Sequence, residues 1–204
     1  LFPDSGYFTV ENGQLIVAAE SLGGDAAAVF HVNETLPKYF EVQATISAVK
    51  PTAGWKANAY LIFDYQSAED FKFAGIDVSI NKLVMGHRDA SGWQVDVQAP
   101  VRGGVKADKD YNILVSVNGT SVTLLVDNQT YFSHTFDPRV DDSGYVYALN
   151  TGMVGFGSDN SRGTFDNLAV QILPPEFTFM GTEEFPDTHS VIDVAAVAGQ
   201  WQSD

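Results

Sequence analysis

What most constrains this chain is its punctuation. From Gly6 to Leu173, short runs rich in Val, Ile, Phe, Tyr and Thr are broken by Gly, Asn, Asp and Pro, and no segment holds a helical period over successive turns. The runs number roughly ten to a dozen and read as strands. Asn12-Gly13 and Asn118-Gly119 read as two-residue hairpin turns, because both central positions of a type I′ turn need positive φ, which Asn and Gly tolerate at little cost. Asp89-Ala90-Ser91-Gly92 and Asp127-Asn128 read the same way. Strand-plus-turn units of this kind bury their apolar faces by stacking two antiparallel sheets, so the expected fold is an all-β sandwich.

At 204 residues the chain fits one ordinary domain with a short appendage. Pro174-Pro175 ends the strand pattern, dividing a sandwich over 1–175 from an extension over 176–204 that holds six of the 26 acids and no Lys or Arg. That extension reads as a packed tail or a linker to a next domain. The formal charge is −15, with 11 basic residues in all, so the basic stripe that phosphate backbones require is lacking and nucleic acid is excluded as a partner. No apolar run approaches the roughly 20 residues of a spanning helix, so membrane insertion is not expected. There is no cysteine, which removes disulfides, thiolate metal sites and a cysteine nucleophile. The opening Leu1-Phe2-Pro3-Asp4 has neither a charged n-region nor a long apolar h-region, and the chain reads as excised from a larger protein.

Register arithmetic on two hairpins gives faces. Centring one turn on Ala68 pairs Asp64 with Lys72 and Phe63 with Phe73, placing Leu61, Phe63, Phe71 and Phe73 on the core face. Centring the next on Ala90-Ser91 pairs Arg88 with Trp93 and His87 with Gln94, placing Val84, Val95 and Val97 on the core face. The opposite surface then gathers Tyr60, Asp64, Lys72, His87, Gln94 and Asp96. It is either a ligand surface or simply the wet face of a sheet, and a one-residue slip in either turn would reverse the assignment.

Enzymatic signatures are missing. There is no Glu-x-Asp-x-x-Glu strand of the kind that pairs two carboxylates for glycoside cleavage, and the nearest substitutes are Asp64 with Asp77 or Asp89 with Asp96. No Gly-x-Ser-x-Gly elbow or His-Glu-x-x-His pair occurs, and the glycine string Gly152–Gly157 sits in strand grammar with no helix behind it. His31, His87, His134 and His189 lack metal-ligand spacing. The acidic loops Asp141–Gly144 and Ser158–Ser161, with Asp159 and Asp166, offer oxygen ligands to Ca²⁺ without matching a helix–loop–helix calcium pattern.

The stretches Tyr60–Asp77, Gly86–Trp93, Tyr111–Thr120 and Gly163–Val170, in this order and spacing, resemble the concanavalin A-like, laminin-G-like jelly rolls found as modules of large secreted bacterial exoproteins. The resemblance spans about residues 6–175. It implies a two-sheet sandwich at the cell surface or outside the cell that binds glycans or protein ligands beside neighbouring domains, as a monomer when isolated. It also implies a structural Ca²⁺ near the last Phe-Asp-Asn, which adds Asn167 to Asp159 and Asp166 as the expected metal residues. The hydrolases of this fold carry the paired-glutamate strand that this chain lacks, so a non-catalytic carbohydrate-binding or adhesion module is the first reading. A structural spacer or interaction domain is the second, and a hydrolase or lyase the third. In the first reading Trp55, Tyr60 and Trp93 stack on the sugar, while Asp64, Lys72, His87, Arg88 and Gln94 bond its hydroxyls. Arg88 and Trp93 have an alternative role in covering the end of their hairpin.

Overall fold

A computed structural model describes residues 2–32 and 35–172; the extension expected over 176–204 lies outside the described residues. The described chain is all-β, with sixteen strands and no helix. In chain order these are β1 (Phe2–Ser5), β2 (Tyr7–Glu11), β3 (Gln14–Ala18), β4 (Asp25–Phe30), β5 (Tyr39–Val49), β6 (Asn58–Ser67), β7 (Asp70–Asp77) and β8 (Lys82–Asp89). They continue with β9 (Gly92–Ala99), β10 (Tyr111–Asn118), β11 (Ser121–Val126), β12 (Gln129–Thr135), β13 (Arg139–Val140), β14 (Val146–Tyr147), β15 (Met153–Asp159) and β16 (Arg162–Ile172).

Two seven-stranded antiparallel sheets form the sandwich. Sheet A runs β1-β4-β15-β6-β7-β8-β9, sheet B runs β12-β11-β10-β5-β16-β3-β2, and β13 with β14 makes a separate small hairpin. The turns follow the sequence chemistry. Asn12 and Gly13 join β2 to β3, and Asp127 and Asn128 join β11 to β12, with all four residues at positive φ. The β10–β11 turn is displaced by one residue from its expected place: Asn118 pairs with Ser121, so the central pair is Gly119-Thr120, and only its first member has positive φ.

Between the sheets, Leu61, Phe63, Ile76, Leu83 and Met85 of sheet A meet Val42, Ile46, Ile113, Val115, Leu124 and Phe165 of sheet B, all essentially inaccessible to solvent. Alternation in β5 and β10 puts every second residue into this core, each large side chain contributing about 1.5–3 kcal/mol of burial.

Sheet A departs from the expected faces. Phe63 pairs with Lys72, and Ile62 with Phe73, one residue away from the centred-turn register. The cause is a bulge after Phe63, where Asp64 adopts a left-handed conformation with φ 51°. Phe71 and Phe73 therefore join Tyr60 and Ile62 on the outer face. In the next hairpin Arg88 pairs with Trp93 and His87 with Gln94 as the turn predicts, but a second irregularity lies between Met85 and Gly86. Leu83, Met85 and Val97 face the main core, Val84 faces outward and Val95 is 46% exposed.

The outer face of sheet A is consequently a second apolar core. Tyr60, Phe71 and Phe73 surround Trp93 at ring-centroid distances of 5.3, 5.1 and 4.9 Å. Ile62 and Val84 are fully buried in the same region. Arg88 reaches Asp25 at 3.1 Å although β8 and β4 stand four places apart, roughly 19 Å in a flat sheet, so sheet A curls around this face. Gly157 makes room for the closure: a Cβ there would come within 2.8 Å of Ile62 and 2.9 Å of Trp93.

If the nest is a true core, Phe73→Ala will lower unfolding free energy in urea by about 3–5 kcal/mol, as a main-core aromatic does. A loss below about 1 kcal/mol would return this face to the status of a wet surface.

Candidate functional site

The bulge that displaces the register also builds the most developed polar site. At Asp64 the strand turns its carboxylate inward, and the residue is 1% exposed. A buried carboxylate needs charged and hydrogen-bonded partners. Arg139, on β13, supplies them: Nε donates to both Asp64 oxygens at 3.0 and 2.8 Å, and Nη2 donates to the Asp64 carbonyl at 3.2 Å. The same guanidinium binds Asp70 in a fork, Nη1 to Oδ2 at 2.7 Å and Nη2 to Oδ1 at 2.8 Å. Lys72 Nζ lies 4.0 Å from Asp64 and sits over the Phe136 ring. Two carboxylates and two cations thus balance at one end of the sandwich.

Burial pushes the Asp64 carboxyl up, against the opposing pull of Arg139 and Lys72. Hydrogen bonding to Arg139 holds Asp70 below the usual carboxylate range. Burial lowers the Lys72 ammonium. Burial also works against the Arg139 charge, but its bonds to Asp70 and Asp64 outweigh that and raise its pKa. Backbone approach completes the arrangement: a Cβ on Gly152 would lie 2.4 Å from the main chain of Asp64 and Tyr65, so only glycine lets the chain entering β15 pass this bulge.

Beside the clamp a shallow, open cleft of about 390 Å³ is lined by Gln66, Arg139, Val140, Asp141, Tyr147 and Thr151. Asp141 shapes its rim. Its Oδ1 accepts from the Ser143 hydroxyl and the main-chain N–H groups of Ser143 and Tyr145, while Tyr147 OH donates to Oδ2 at 2.9 Å. These bonds, led by the Ser143 hydroxyl, hold its carboxyl at about 2. Tyr145 and Tyr147 meet edge to face at 4.7 Å, and Tyr145 is 58% exposed. Gln66 donates to Asp64 and Thr151 at 3.2 and 3.3 Å, leaving its carbonyl oxygen open among the described residues. A second cavity of about 520 Å³, reaching His31, Tyr65 and Asn150, shares the Gln66 and Thr151 wall.

The expected ligand residues fall into three places. Asp64, Lys72, His87 and Gln94 do come together, on the inner-face row Phe63–Lys72–His87–Gln94 at this loop end rather than on the outer face. His87 Nδ1 lies 2.8 Å from Asp96. Tyr60, Arg88 and Trp93 belong to the outer nest, where Tyr60 is 3% exposed and donates to Asp77 at 3.3 Å. Trp55 precedes β6 and stands at the other end of that strand from Asp64, partly buried. The carboxylate pairs considered for hydrolysis are not opposed. Asp64 and Asp77 stand at opposite ends of the β6–β7 hairpin, and Asp89 accepts from the Ser91 N–H while Asp96 holds His87. Sequence reasoning missed Arg139, Gln66 and Asp70. The available signal was that Arg139 is the only Lys or Arg between Lys109 and Arg162, in an acidic, turn-rich stretch.

The expected metal residues do not fit a calcium site as a set. Asp159, on sheet A, is ion-paired with Lys56, whereas Asp166 lies on sheet B opposite Thr45 with one oxygen accepting from the Asn167 N–H. No group of three His, Cys, Asp or Glu converges among the described residues.

Solved structures share this architecture. A carbohydrate binding module, CBM66, from Bacillus subtilis matches with TM-score 0.66 and 13% identity, over 83% of this chain and 94% of that one. A protein of unknown function with a galectin-like fold, also from Bacillus subtilis, matches with TM-score 0.56 and 11% identity, over 84% and 95%. The exoplasmic/lumenal domain of VIP36 in its Ca²⁺/Man3GlcNAc-bound form matches with TM-score 0.59 and 11% identity, over 85% and 84%. The shared property is the two-sheet β-sandwich fold. No family model and no curated protein sequence matches the chain.

The dispersed carboxylates predict equal melting temperatures in millimolar Ca²⁺ and in EDTA. A melting temperature raised by Ca²⁺ would show a cation site that this carboxylate set does not account for.

Proposed function

We propose that the chain is a non-catalytic carbohydrate-binding module of a larger extracellular bacterial protein, serving adhesion, and that it takes its glycan at the loop-end cleft around Arg139. The observation that carries this reading is the ring of planar polar groups on a rigid base. Gln66 offers an open carbonyl and Thr151 a hydroxyl, Asp141 keeps a lone pair on the Oδ2 that Tyr147 OH orients, and all three surround the cleft with Tyr147 on its wall. Sugar hydroxyls both donate and accept, and they are selected by groups whose directions are fixed in advance. The Arg139 clamp fixes them here, since it ties the β6–β7 hairpin to β13. The exposed Tyr145 supplies an aromatic edge to the rim.

Support from outside the chain is of fold and is consistent in kind: a solved carbohydrate binding module and a mannose-oligosaccharide-bound lumenal domain share the sandwich. The carboxylates beneath the cleft, Asp64 and Asp70, are both committed to Arg139, and Asp141 on its rim stands without a second lining carboxylate among the described residues to form an acid–base pair. Calcium has no part in this reading, and the glycan is held by direct hydrogen bonds. A protein-binding role has one observation in its favour: Val140, Tyr145 and Val146 are 59%, 58% and 56% exposed on and beside the β13–β14 hairpin.

A glycan array with the purified chain is expected to show one coherent sugar class, equally in Ca²⁺ and EDTA. Gln66→Ala, at an exposed position, is expected to weaken that binding about tenfold, the effect of one hydrogen bond, with the fold retained and only a small fall in melting temperature from the lost bond to Asp64. A blank array would leave the protein-binding surface as the better reading, and undiminished binding by Gln66→Ala would remove the cleft as the site.

A further inference from the structure

The outer face of sheet B holds a groove of about 250 Å³ that shares no residue with the loop-end cleft. Its polar lining is made of uncharged groups: Gln43 and Thr45 on β5, Asn112 on β10, Asn128 in the β11–β12 turn, and Asn167 on β16. Pairing of β16 with β5 lapses between Asp166 and Ala169, and Asn167 takes a left-handed φ of 51° at that point. The lapse leaves an opening beside Thr45, and a second irregularity, between Leu124 and Leu125 in the β11–β12 pairing, borders the same groove.

We propose that this groove is a second, independent site for a neutral sugar residue. Three observations support it. First, the amides are oriented by a relay: Asn167 Nδ2 donates to Thr45 Oγ1 at 3.2 Å, and that hydroxyl donates to Asn112 Oδ1 at 3.0 Å. The relay leaves the Asn112 NH₂ and the Asn167 carbonyl oxygen as a donor and an acceptor held in fixed directions, which is what a hydroxyl-bearing ring requires. Gln43 and Asn128 add amides with no side-chain partner among the described residues. Second, Leu114 and Leu125 lie among these amides and give the C–H face of a ring an apolar contact.

Third, the charge is right for a neutral ligand. In a chain of net charge −15 the groove has no charged lining residue among the described residues. The two flanking carboxylates each turn an oxygen to main-chain N–H groups, Asp127 to Asn112 at 3.0 Å and Asp166 to Asn167 at 2.7 Å. An acidic sugar gains nothing here from a cation, and the volume, below the roughly 300–1,000 Å³ of pockets for larger ligands, suits one ring. With the loop-end cleft, the module would hold two points of a glycan or two chains at once, a gain in retention that needs no new contact.

The test is nuclear magnetic resonance of the ¹⁵N-labelled chain, following side-chain amide signals while glucose, galactose, mannose or N-acetylglucosamine is added to about 100 mM, well past a millimolar Kd. At least one sugar is expected to shift the Asn112, Asn128 and Asn167 amides saturably. The response should persist in Gln66→Ala, and weaken at least tenfold both in Gln43→Ala/Asn112→Ala and in Gln43→Glu. The single exposed change Gln43→Glu keeps the test decisive if the double variant loses its dispersed spectrum. No saturable shift at these amides, or a shift undiminished in Gln43→Glu, would overturn the proposal. Shifts confined to Gln66 and the residues around Thr151 would overturn it while sustaining the loop-end site.

Discussion

The Arg139 guanidinium bridging Asp64 and Asp70 is the interaction on which the loop end of this sandwich depends. The Asp64 carboxylate is carried inward by the left-handed bulge at the end of β6, where it would cost several kcal/mol if unpaired. One side chain, 75 residues away in the chain, neutralises it and binds the neighbouring turn with the other half of its fork. A lysine could meet one of these carboxylates but has no planar fork with which to hold both. The consequence is mechanical as well as electrostatic. The β6–β7 hairpin and β13 are held in one geometry, and Gln66, Asp141 and Tyr147 keep their places around the cavity because of it.

Closure of the outer face of sheet A removes that face as a ligand surface. A curved sheet of this kind offers its concave face as a natural cleft, yet here Trp93 lies over Tyr60, Phe71 and Phe73, and Arg88 spans to Asp25. The two outcomes draw on the same residues. Large aromatics in a concavity either stack on a ligand or on one another, and the glycine at position 157 lets Trp93 settle against Ile62. The polar groups capable of recognition are left at the loop end and on the amide-lined face of sheet B.

Much of the architecture was legible in the sequence, for local reasons. Asn12-Gly13 and Asp127-Asn128 announce their turns because positive φ is a property of one or two residues, and the pairing of His87 with Gln94 follows from a turn that Asp89 caps by accepting from Ser91 N–H. The faces of sheet A were not legible. An alternating pattern separates wet from dry, but Phe71 and Phe73 are as apolar as Leu61 and Phe63, so two dry faces on one strand pair look alike in sequence. The bulge at Asp64 is a single residue in a rare conformation, and it reverses every later assignment on β7. The clamp was hidden because its partners are distant in the chain. Nothing in the local sequence of Arg139 indicates which carboxylate it meets.

The account's central claim is that Arg139 makes the β6–β7 turn and the β13–β14 hairpin one structural unit. Native-state hydrogen exchange on the wild type and on Arg139→Lys tests it directly. Amides over residues 64–70 and 139–147 should speed up together in the variant, by about tenfold or more, while those of β5 and β10 keep their protection. Acceleration confined to residues 139–147, with 64–70 unchanged, would contradict it.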